Sequence, residues 1–118
     1  MRHQKKKIRL HRPRGASMLL LKNLASSLII HEKIQTTRTK AKLVQPMIEK
    51  LINASRKKEK SLAVRNLNVR LSNPLAGKKI MEVLNKRYAE RKSGFTRITP
   101  IKFRPGDNAP IVQIELLN

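Results

Sequence analysis

The fold is decided by the C-terminal stretch FTRITPIKFRPGDNAPIVQIELL, residues 95–117. Residues 95–103 are rich in β-branched and aromatic side chains, which favour a strand. Residues 104–108 combine Arg with Pro, Gly, Asp and Asn, a composition typical of a turn. After the turn, apolar and polar residues alternate, and one face is formed by Val112, Ile114 and Leu116. The stretch therefore predicts two antiparallel strands with an apolar face for helices to cover.

Two elements are predicted near the other end of the chain. Apolar residues at helical spacing indicate a first helix from about Gly15 to Ile30. The short segment Lys33–Thr37 is β-prone and too brief for a helix, so it is a predicted strand.

A second helix is predicted from a cap at Thr37 or Thr39 to about Ser55. Pro46 lies inside it and removes one backbone hydrogen bond. We expect a kink at Pro46 rather than a later helix start, because the apolar stripe keeps one phase across it. That stripe comprises Ala41, Val44, Ile48, Leu51 and Ile52.

Two further helices are predicted in residues 61–94. Ser61 can cap the first of them, and the Asn73-Pro74 pair is typical of the start of the second. Their predicted inward-facing residues are Leu62, Leu67 and Leu71 in the first, and Ala76, Ile80, Val83, Leu84 and Tyr88 in the second.

These elements follow the order α-β-α-α-α-β-β. The order predicts a two-layer α+β fold in which helices pack on a small three-stranded sheet. Residues 15–118 are long enough for one modest core, so we expect them to form a single globular domain. Residues 1–14 are expected to form an extended basic arm outside it.

The composition is dominated by positive charge. The 118 residues hold 28 Lys and Arg against 7 Asp and Glu, a formal net charge of +21. Such a surface repels itself until an anionic partner neutralises it. Composition alone leaves three classes of partner open: nucleic acid, an anionic membrane and an acidic protein.

No feature indicates secretion or a membrane anchor. The chain has no cysteine, and its longest early apolar run ends at Lys22. This run is too short for a signal peptide or a membrane span. We therefore expect a protein of a reducing compartment.

The arm carries seven cations, and no acid precedes Glu32. It has too little apolar surface to fold alone, so we expect it to become ordered only on phosphates. A merely solvated tail is the alternative. The cations are Arg2, Lys5, Lys6, Lys7, Arg9, Arg12 and Arg14, accompanied by His3 and His11.

Catalytic chemistry is not indicated. The four glycines are too scattered for a phosphate-binding loop, and the three histidines lack the spacing of metal ligands. The seven acids stand singly, so no local carboxylate pair is available for acid–base work. We expect no enzymatic activity, cofactor, metal or small-molecule substrate. Glu32 and Asp107 are assigned instead to salt bridging and turn formation.

The cations concentrate in the arm and in residues 33–42, 56–60 and 87–104, which indicates a phosphate-binding surface. Tyr88, Phe95 and Phe103 are too few for a base-stacking platform and are predicted to pack in the core. Recognition is therefore expected to be of folded RNA, through its backbone and shape. Arginines can bind phosphate in a forked geometry, and the candidates are Arg2, Arg9, Arg12, Arg14, Arg91 and Arg97.

Specific residues also resemble those of a known family. In the first half they are Met1-Arg2-His3, Lys22-Asn23-Leu24, Ser27-Leu28, His31-Glu32, Thr36-Thr37 and Lys40-Ala41-Lys42. In the second half they are Arg87-Tyr88, Arg91, Thr96-Arg97-Ile98, Gly106-Asp107-Asn108-Ala109-Pro110 and Ile114-Glu115-Leu116. In this order and spacing the chain resembles the bacterial large-subunit ribosomal protein seventeen family over essentially its whole length.

The resemblance implies a structural constituent of the large ribosomal subunit that binds its folded rRNA near the polypeptide exit tunnel, beside neighbouring ribosomal proteins. It implies helices packed against a small mixed sheet. It also implies an N-terminal extension that penetrates rRNA, a role carried here by Arg2, His3, Arg9 and Arg12. Clusters and resemblance together give the predicted rRNA-binding set: Arg2, His3, Lys5, Lys6, Lys7, Arg9, Arg12, Arg14, Lys22, Asn23, His31, Lys33, Thr36, Thr37, Lys40, Lys42, Arg91 and Arg97.

Rival classes are a DNA-binding architectural protein and a membrane-active cationic protein. The sequence has no clear turn-and-recognition-helix unit, which disfavours the DNA regulator. Its apolar stripes are needed for the core, which disfavours the membrane. The chain begins at the family's own start, so we expect no transit peptide and a cytoplasmic ribosome, with an organellar one left open. An isolated homo-oligomer is not expected.

Overall fold

Helices cover one face of a small sheet in the computed structural model, which describes residues 10–57 and 59–118. The first half contains α1 (Arg14–His31), β1 (Lys33–Thr37), α2 (Arg38–Lys57) and α3 (Lys60–Arg70). The second half contains α4 (Pro74–Lys79), a π-helical turn (Ile80–Leu84), α5 (Asn85–Arg87), β2 (Thr96–Phe103) and β3 (Pro110–Leu116). Because α4, the π turn and α5 follow without a break, they form one helical segment, 74–87. The predicted α+β class and element order are confirmed.

The strand that comes last in the sequence lies in the middle of the sheet. The strand order is β1-β3-β2, and both pairings are antiparallel. The prediction of a mixed sheet is therefore wrong. β1 and β2 run in the same direction, but β3 separates them, so no parallel ladder forms.

The core lies between the helices and the face of β3 formed by Val112, Ile114 and Leu116. The five apolar residues of the predicted α2 stripe are all buried. The C-terminal half of α1 adds Ala25, Leu28 and Ile29. The two-layer arrangement and these predicted faces are thus confirmed.

Helix α2 runs without interruption through Pro46. It begins at Arg38, directly after Thr37, and ends at Lys57. The alternative of a later start is therefore wrong. The apolar residues on both sides of the proline share one buried face, and their packing offsets the lost backbone hydrogen bond.

The third helix differs from its prediction. It begins at Lys60 after Glu59, with no side-chain cap, so the predicted Ser61 cap is wrong. Leu62, predicted to face inward, is 51% exposed, whereas Ala63 and Leu67 are buried. Residues 62 and 63 point about 100° apart around a helix, so only one of them can face the core.

The helical segment 74–87 confirms its predicted cap but not all of its predicted face. The Asn73 side chain accepts a hydrogen bond from the Leu75 backbone N–H at 2.9 Å. Val83 is 42% exposed, in contrast to its prediction. A π-helical turn holds more residues per turn than an α-helix, so inward positions recur at a spacing of four. Those positions are Ala76, Ile80, Leu84 and Tyr88, all buried.

The loop between β2 and β3 is fixed by an ion pair. The carboxylate of Asp107 accepts hydrogen bonds from Arg104 Nε at 3.0 Å and Nη2 at 2.5 Å. Gly106 and Asn108 take positive φ angles of 102° and 54°, which these residue types tolerate. Arg104 and the Ala109 backbone N–H lower the pKa of Asp107 to about 2. The predicted turn-forming role of Asp107 is confirmed.

Glu32 connects the helical layer to the sheet. At the end of α1 it takes a left-handed conformation, and its N–H donates to the Leu28 carbonyl at 2.8 Å. Its own carbonyl accepts from the Leu116 N–H at 2.8 Å. Its carboxylate accepts two hydrogen bonds from Arg87, at 3.2 and 2.8 Å, and lies 3.0 Å from Lys79 Nζ. The predicted salt-bridging role of Glu32 is confirmed.

The Arg87 and Lys79 hydrogen bonds lower the pKa of Glu32 from 4.5 to about 2. A lowered folded-state pKa stabilises the fold above the unfolded value, and that contribution is lost as the pH falls towards the folded value. The Glu32 contribution should therefore be complete above about pH 4.5 and disappear towards pH 2.

We expect Glu32→Gln to lower the free energy of unfolding by about 1–3 kcal/mol at pH 7, because Arg87 and Lys79 lose their shared anion. The difference from the unmodified chain should shrink as the pH falls below about 4.5. Urea unfolding at a series of pH values would measure it. Glu90→Gln is the control, since Glu90 is exposed and makes no ion pair with the described residues. A pH-independent difference would contradict the proposed linkage.

Candidate nucleic-acid interface

Most cations of the described residues have no carboxylate beside them. Six of the 28 Lys and Arg lie outside the residues that the structure describes, so 22 basic residues are described. Ion pairs within the described residues involve Lys79, Arg87, Arg97 and Arg104, so 18 of the 22 remain without one. The six outside are Arg2, Lys5, Lys6, Lys7, Arg9 and Lys58, and the predicted site residue His3 lies outside as well.

Helix starts add to this excess of positive charge. Helices α1 and α2 begin at Arg14 and Arg38, and neither has an acid in its first turn. A cation at the positive end of a helix dipole is unfavourable by roughly 0.3–1 kcal/mol, whereas an anion there is favourable. The charges therefore oppose the helix dipoles unless the surface meets an anionic partner.

The face of the sheet turned away from the helices brings together residues from distant parts of the sequence. Lys33 and Arg97 both pair with Glu115, so the three residues form one row across the sheet. Arg97 Nη1 lies 3.8 Å from Glu115 Oε1, and the arginine is mostly exposed. Thr37 belongs to the same face. Thr36 alternates to the other face and is half-buried.

Arg91 lies at one end of this open face. With Arg97 and residues 115–118 it lines a polar pocket of about 330 Å³. The Arg91 guanidinium also donates to the Gly94 carbonyl at 3.0 Å. The structure thus brings Arg91 and Arg97 together.

The predicted residues of α1 lie elsewhere. Arg14 and Asn23 are exposed, His31 is exposed at the helix end, and Arg12 is exposed just before the helix begins. Lys22 is half-buried and shares a small groove of about 190 Å³ with Arg70 of α3. Buried residues of α1 begin only at Ala25, so its N-terminal half extends beyond the core.

A third basic region is a groove between α2 and the β2–β3 hairpin, named here the α2–hairpin groove. It is lined by Arg38, Lys42 and Gln45 of α2 and by residues 98, 100–103 and 110–112 of the hairpin. Its volume is about 630 Å³. Of the predicted set only Lys42 lines it, while Lys40 is half-buried and absent from the lining. Arg38, Lys102 and Phe103 are functional candidates that the sequence analysis missed as site residues.

The aromatic residues divide between core and surface. Tyr88 and Phe95 are buried with ring centroids 4.9 Å apart, as predicted. Phe103 is 66% exposed, so its predicted core role is wrong. It is the last residue of β2 and lines a groove across from Arg38, Lys42 and Gln45 of α2.

Arg56 is part of the packed structure and not of the free cationic surface. Its guanidinium donates to the carbonyls of Tyr88 and Arg91, the second at 2.9 Å, and to Asn53 Oδ1 at 2.6 Å. It also lies 5.2 Å from the centroid of the Phe95 ring. Arg87 is likewise held by Glu32. The clusters 56–60 and 87–104 are therefore only partly available for phosphate.

The described residues offer little else at a functional site. They contain no group of three or more His, Asp or Glu arranged to hold a metal ion. No helix of the described part of the chain is long and apolar enough to cross a bilayer.

Fold and surface together define a small, basic α+β protein. Its cations without an ion-pair partner are complementary to a polyanion. A family model described as Ribosomal protein L17 matches residues 20–117. The chain belongs to this family, so it is a structural protein of the large ribosomal subunit and not an enzyme.

Individual relatives agree over the whole chain. "Large ribosomal subunit protein bL17" of Hyphomonas neptunium is 40% identical over 119 residues, covering 100% of this chain and 84% of the relative. The protein of the same name from Orientia tsutsugamushi strain Ikeda is 42% identical, with 100% and 81% covered. That of Neorickettsia sennetsu is 41% identical, with 99% and 100% covered.

We expect Arg56→Lys to lower the free energy of unfolding by about 1–3 kcal/mol, because lysine cannot reproduce the forked hydrogen bonds or the contact with Phe95. Lys57→Ala, at the exposed end of the same helix, should change it by less than about 0.5 kcal/mol. Chemical denaturation of the two variants would compare them. Equal stability of both would show that Arg56 acts only as a surface charge.

Proposed function

We propose that the chain binds and stabilises folded large-subunit rRNA through its phosphate backbone, in the cytoplasm, near the polypeptide exit tunnel. The observation that carries the proposal is the set of 18 cations with no ion-pair partner within the described residues of a folded domain. Each phosphate contact releases counterions, which favours binding to a densely charged polyanion. The location near the tunnel rests on the family resemblance.

The proposed interface combines three regions of the described surface with the arm. The open sheet face supplies Lys33, Thr37, Arg91 and Arg97, and α1 supplies Arg14, Lys22, Asn23 and His31, with Arg12 just before its start. Lys42 belongs to the α2–hairpin groove, with Lys40 and Thr36 nearby in the sequence. Several separate regions suit a protein that contacts more than one rRNA segment and neighbouring ribosomal proteins.

Binding of the full-length chain to a large-subunit rRNA fragment should weaken steeply with salt, by a log–log slope of about −0.7 to −0.9 per phosphate contact. Lys33→Gln should reduce the magnitude of the slope by about one contact. Arg104→Gln removes the same charge but affects a guanidinium already paired with Asp107, so its slope should stay unchanged. Filter binding across a salt series measures both. Absence of binding at low salt, or equal competition by duplex DNA, would contradict rRNA as the partner.

We also propose that residues 1–14 act as an rRNA-penetrating arm and that residues 15–118 form the globular domain. Residues 1–9 lie outside the described residues, so the proposal rests on the acid-free sequence and the resemblance.

Deleting residues 1–14 should leave the circular dichroism and unfolding transition of the domain intact while reducing its incorporation into large subunits. A chain of full length in which the arm cations are replaced by Gln separates charge from length, and should also incorporate poorly. Sedimentation of tagged variants with ribosomal particles would measure incorporation. Normal incorporation of both variants would contradict a role for the arm.

A further inference from the structure

We infer that the α2–hairpin groove binds one unpaired nucleotide of the RNA, with the Phe103 ring against the base and Arg38 and Lys42 beside its phosphates. The inference rests on the proposed function, because it assigns a specific site for the same RNA partner. It adds a base-contacting position to an interface otherwise argued from backbone contacts.

The groove lies where the pairing of the hairpin is irregular. The pairing of β2 with β3 shifts register between Pro100 and Lys102, which leaves Ile101 as an extra residue. Such a bulge bends a strand and redirects the side chains that follow it. The bulge residue Ile101 and Phe103, two residues further on, are both exposed. An apolar wall therefore stands open at the end of the sheet.

The charge of the groove points to an anionic occupant. Arg38 and Lys42 line it one helical turn apart on α2, and no carboxylate lies among the lining residues. Lys102 also borders it, in the row of Ile111 and Thr37 that belongs to the open face of the sheet. The nearby Asp107 is already neutralised by Arg104. The volume of about 630 Å³ falls in the range of small-ligand sites, roughly 300–1,000 Å³.

An exposed aromatic ring among cations favours an RNA base over an acidic protein segment. A carboxylate would satisfy the cations but gain nothing from the flat face of Phe103. A base stacks on such a face whatever its identity, and its own phosphates meet the cations. A base inside a duplex has both faces covered by its neighbours, so the nucleotide must be unpaired. Gln45 adds an amide that can hydrogen-bond to base edges.

The first test compares a fully paired RNA hairpin with the same hairpin carrying one unpaired nucleotide. The full-length chain should prefer the second by at least about fivefold, as expected for one stacked base. Phe103→Leu should remove this preference with an unchanged salt slope, while Phe103→Tyr, which keeps the ring, should retain it. Lys42→Gln should reduce the slope by about one contact.

The outcomes separate the two proposals. Failure to bind either RNA would contradict the proposed function itself. Binding to both with equal affinity, or a preference that survives Phe103→Leu, would overturn the groove assignment while leaving backbone recognition intact. Because Phe103 is mostly exposed, its substitution should not unfold the chain, and the unfolding transition serves as the check.

The second test uses assembled particles. A photo-crosslinking phenylalanine analogue at position 103 should cross-link to rRNA. The same analogue at Leu75, which is 65% exposed but absent from the groove lining, is the matched control and should not give the same product. Cross-linking of position 103 to a ribosomal protein instead of rRNA would overturn the inference in favour of a protein occupant.

Discussion

The two hydrogen bonds from Arg87 to the carboxylate of Glu32 join the end of α1 to the helical segment 74–87. Glu32 ends α1 in a left-handed conformation, receives the Leu116 N–H of the central strand and faces Lys79 and Arg87 of the helical segment 74–87. A chain with 28 basic residues and 7 acids has few anions to use inside the fold. It uses this one where three elements meet and where two cations would otherwise repel each other.

The basic side chains of this protein consequently perform two different tasks. Three arginines bind groups of the chain itself through their planar guanidinium groups. Arg56 donates to backbone carbonyls, Arg87 to the carboxylate of Glu32 at the end of α1, and Arg104 to the carboxylate of Asp107 in the β2–β3 loop. Lys33, Arg38 and Lys42 lie on the surface, where the surplus charge has no internal use. The same composition therefore stabilises the fold in one place and leaves it in need of a polyanion in another.

The exposed apolar residues are consistent with this dependence on a partner. Phe103 and Ile101 are exposed in the α2–hairpin groove, next to cations and without acids among the groove lining. Neither the open ring nor the clustered charge is favourable for a protein surrounded only by water. An RNA would cover the Phe103 ring with a base and neutralise the clustered cations with its phosphates.

The sequence by itself determined the element order, the strand Lys33–Thr37, the buried stripe of α2 and the faces of β3, because hydrophobic periodicity acts locally. It also indicated the two structural acids, since isolated carboxylates in a basic chain attract nearby cations, and its ordered motifs identified the family. Only the tertiary structure decided that β3 pairs antiparallel on both sides, that Arg56 and Arg87 are used internally, and that Phe103 stays exposed. The residues of a strand do not by themselves specify which neighbouring strands it pairs with. An aromatic side chain at the end of a strand is buried only if another element packs over it. The α2–hairpin groove joins residues 38–45 to residues 98–112, and only the folded chain brings these two segments side by side.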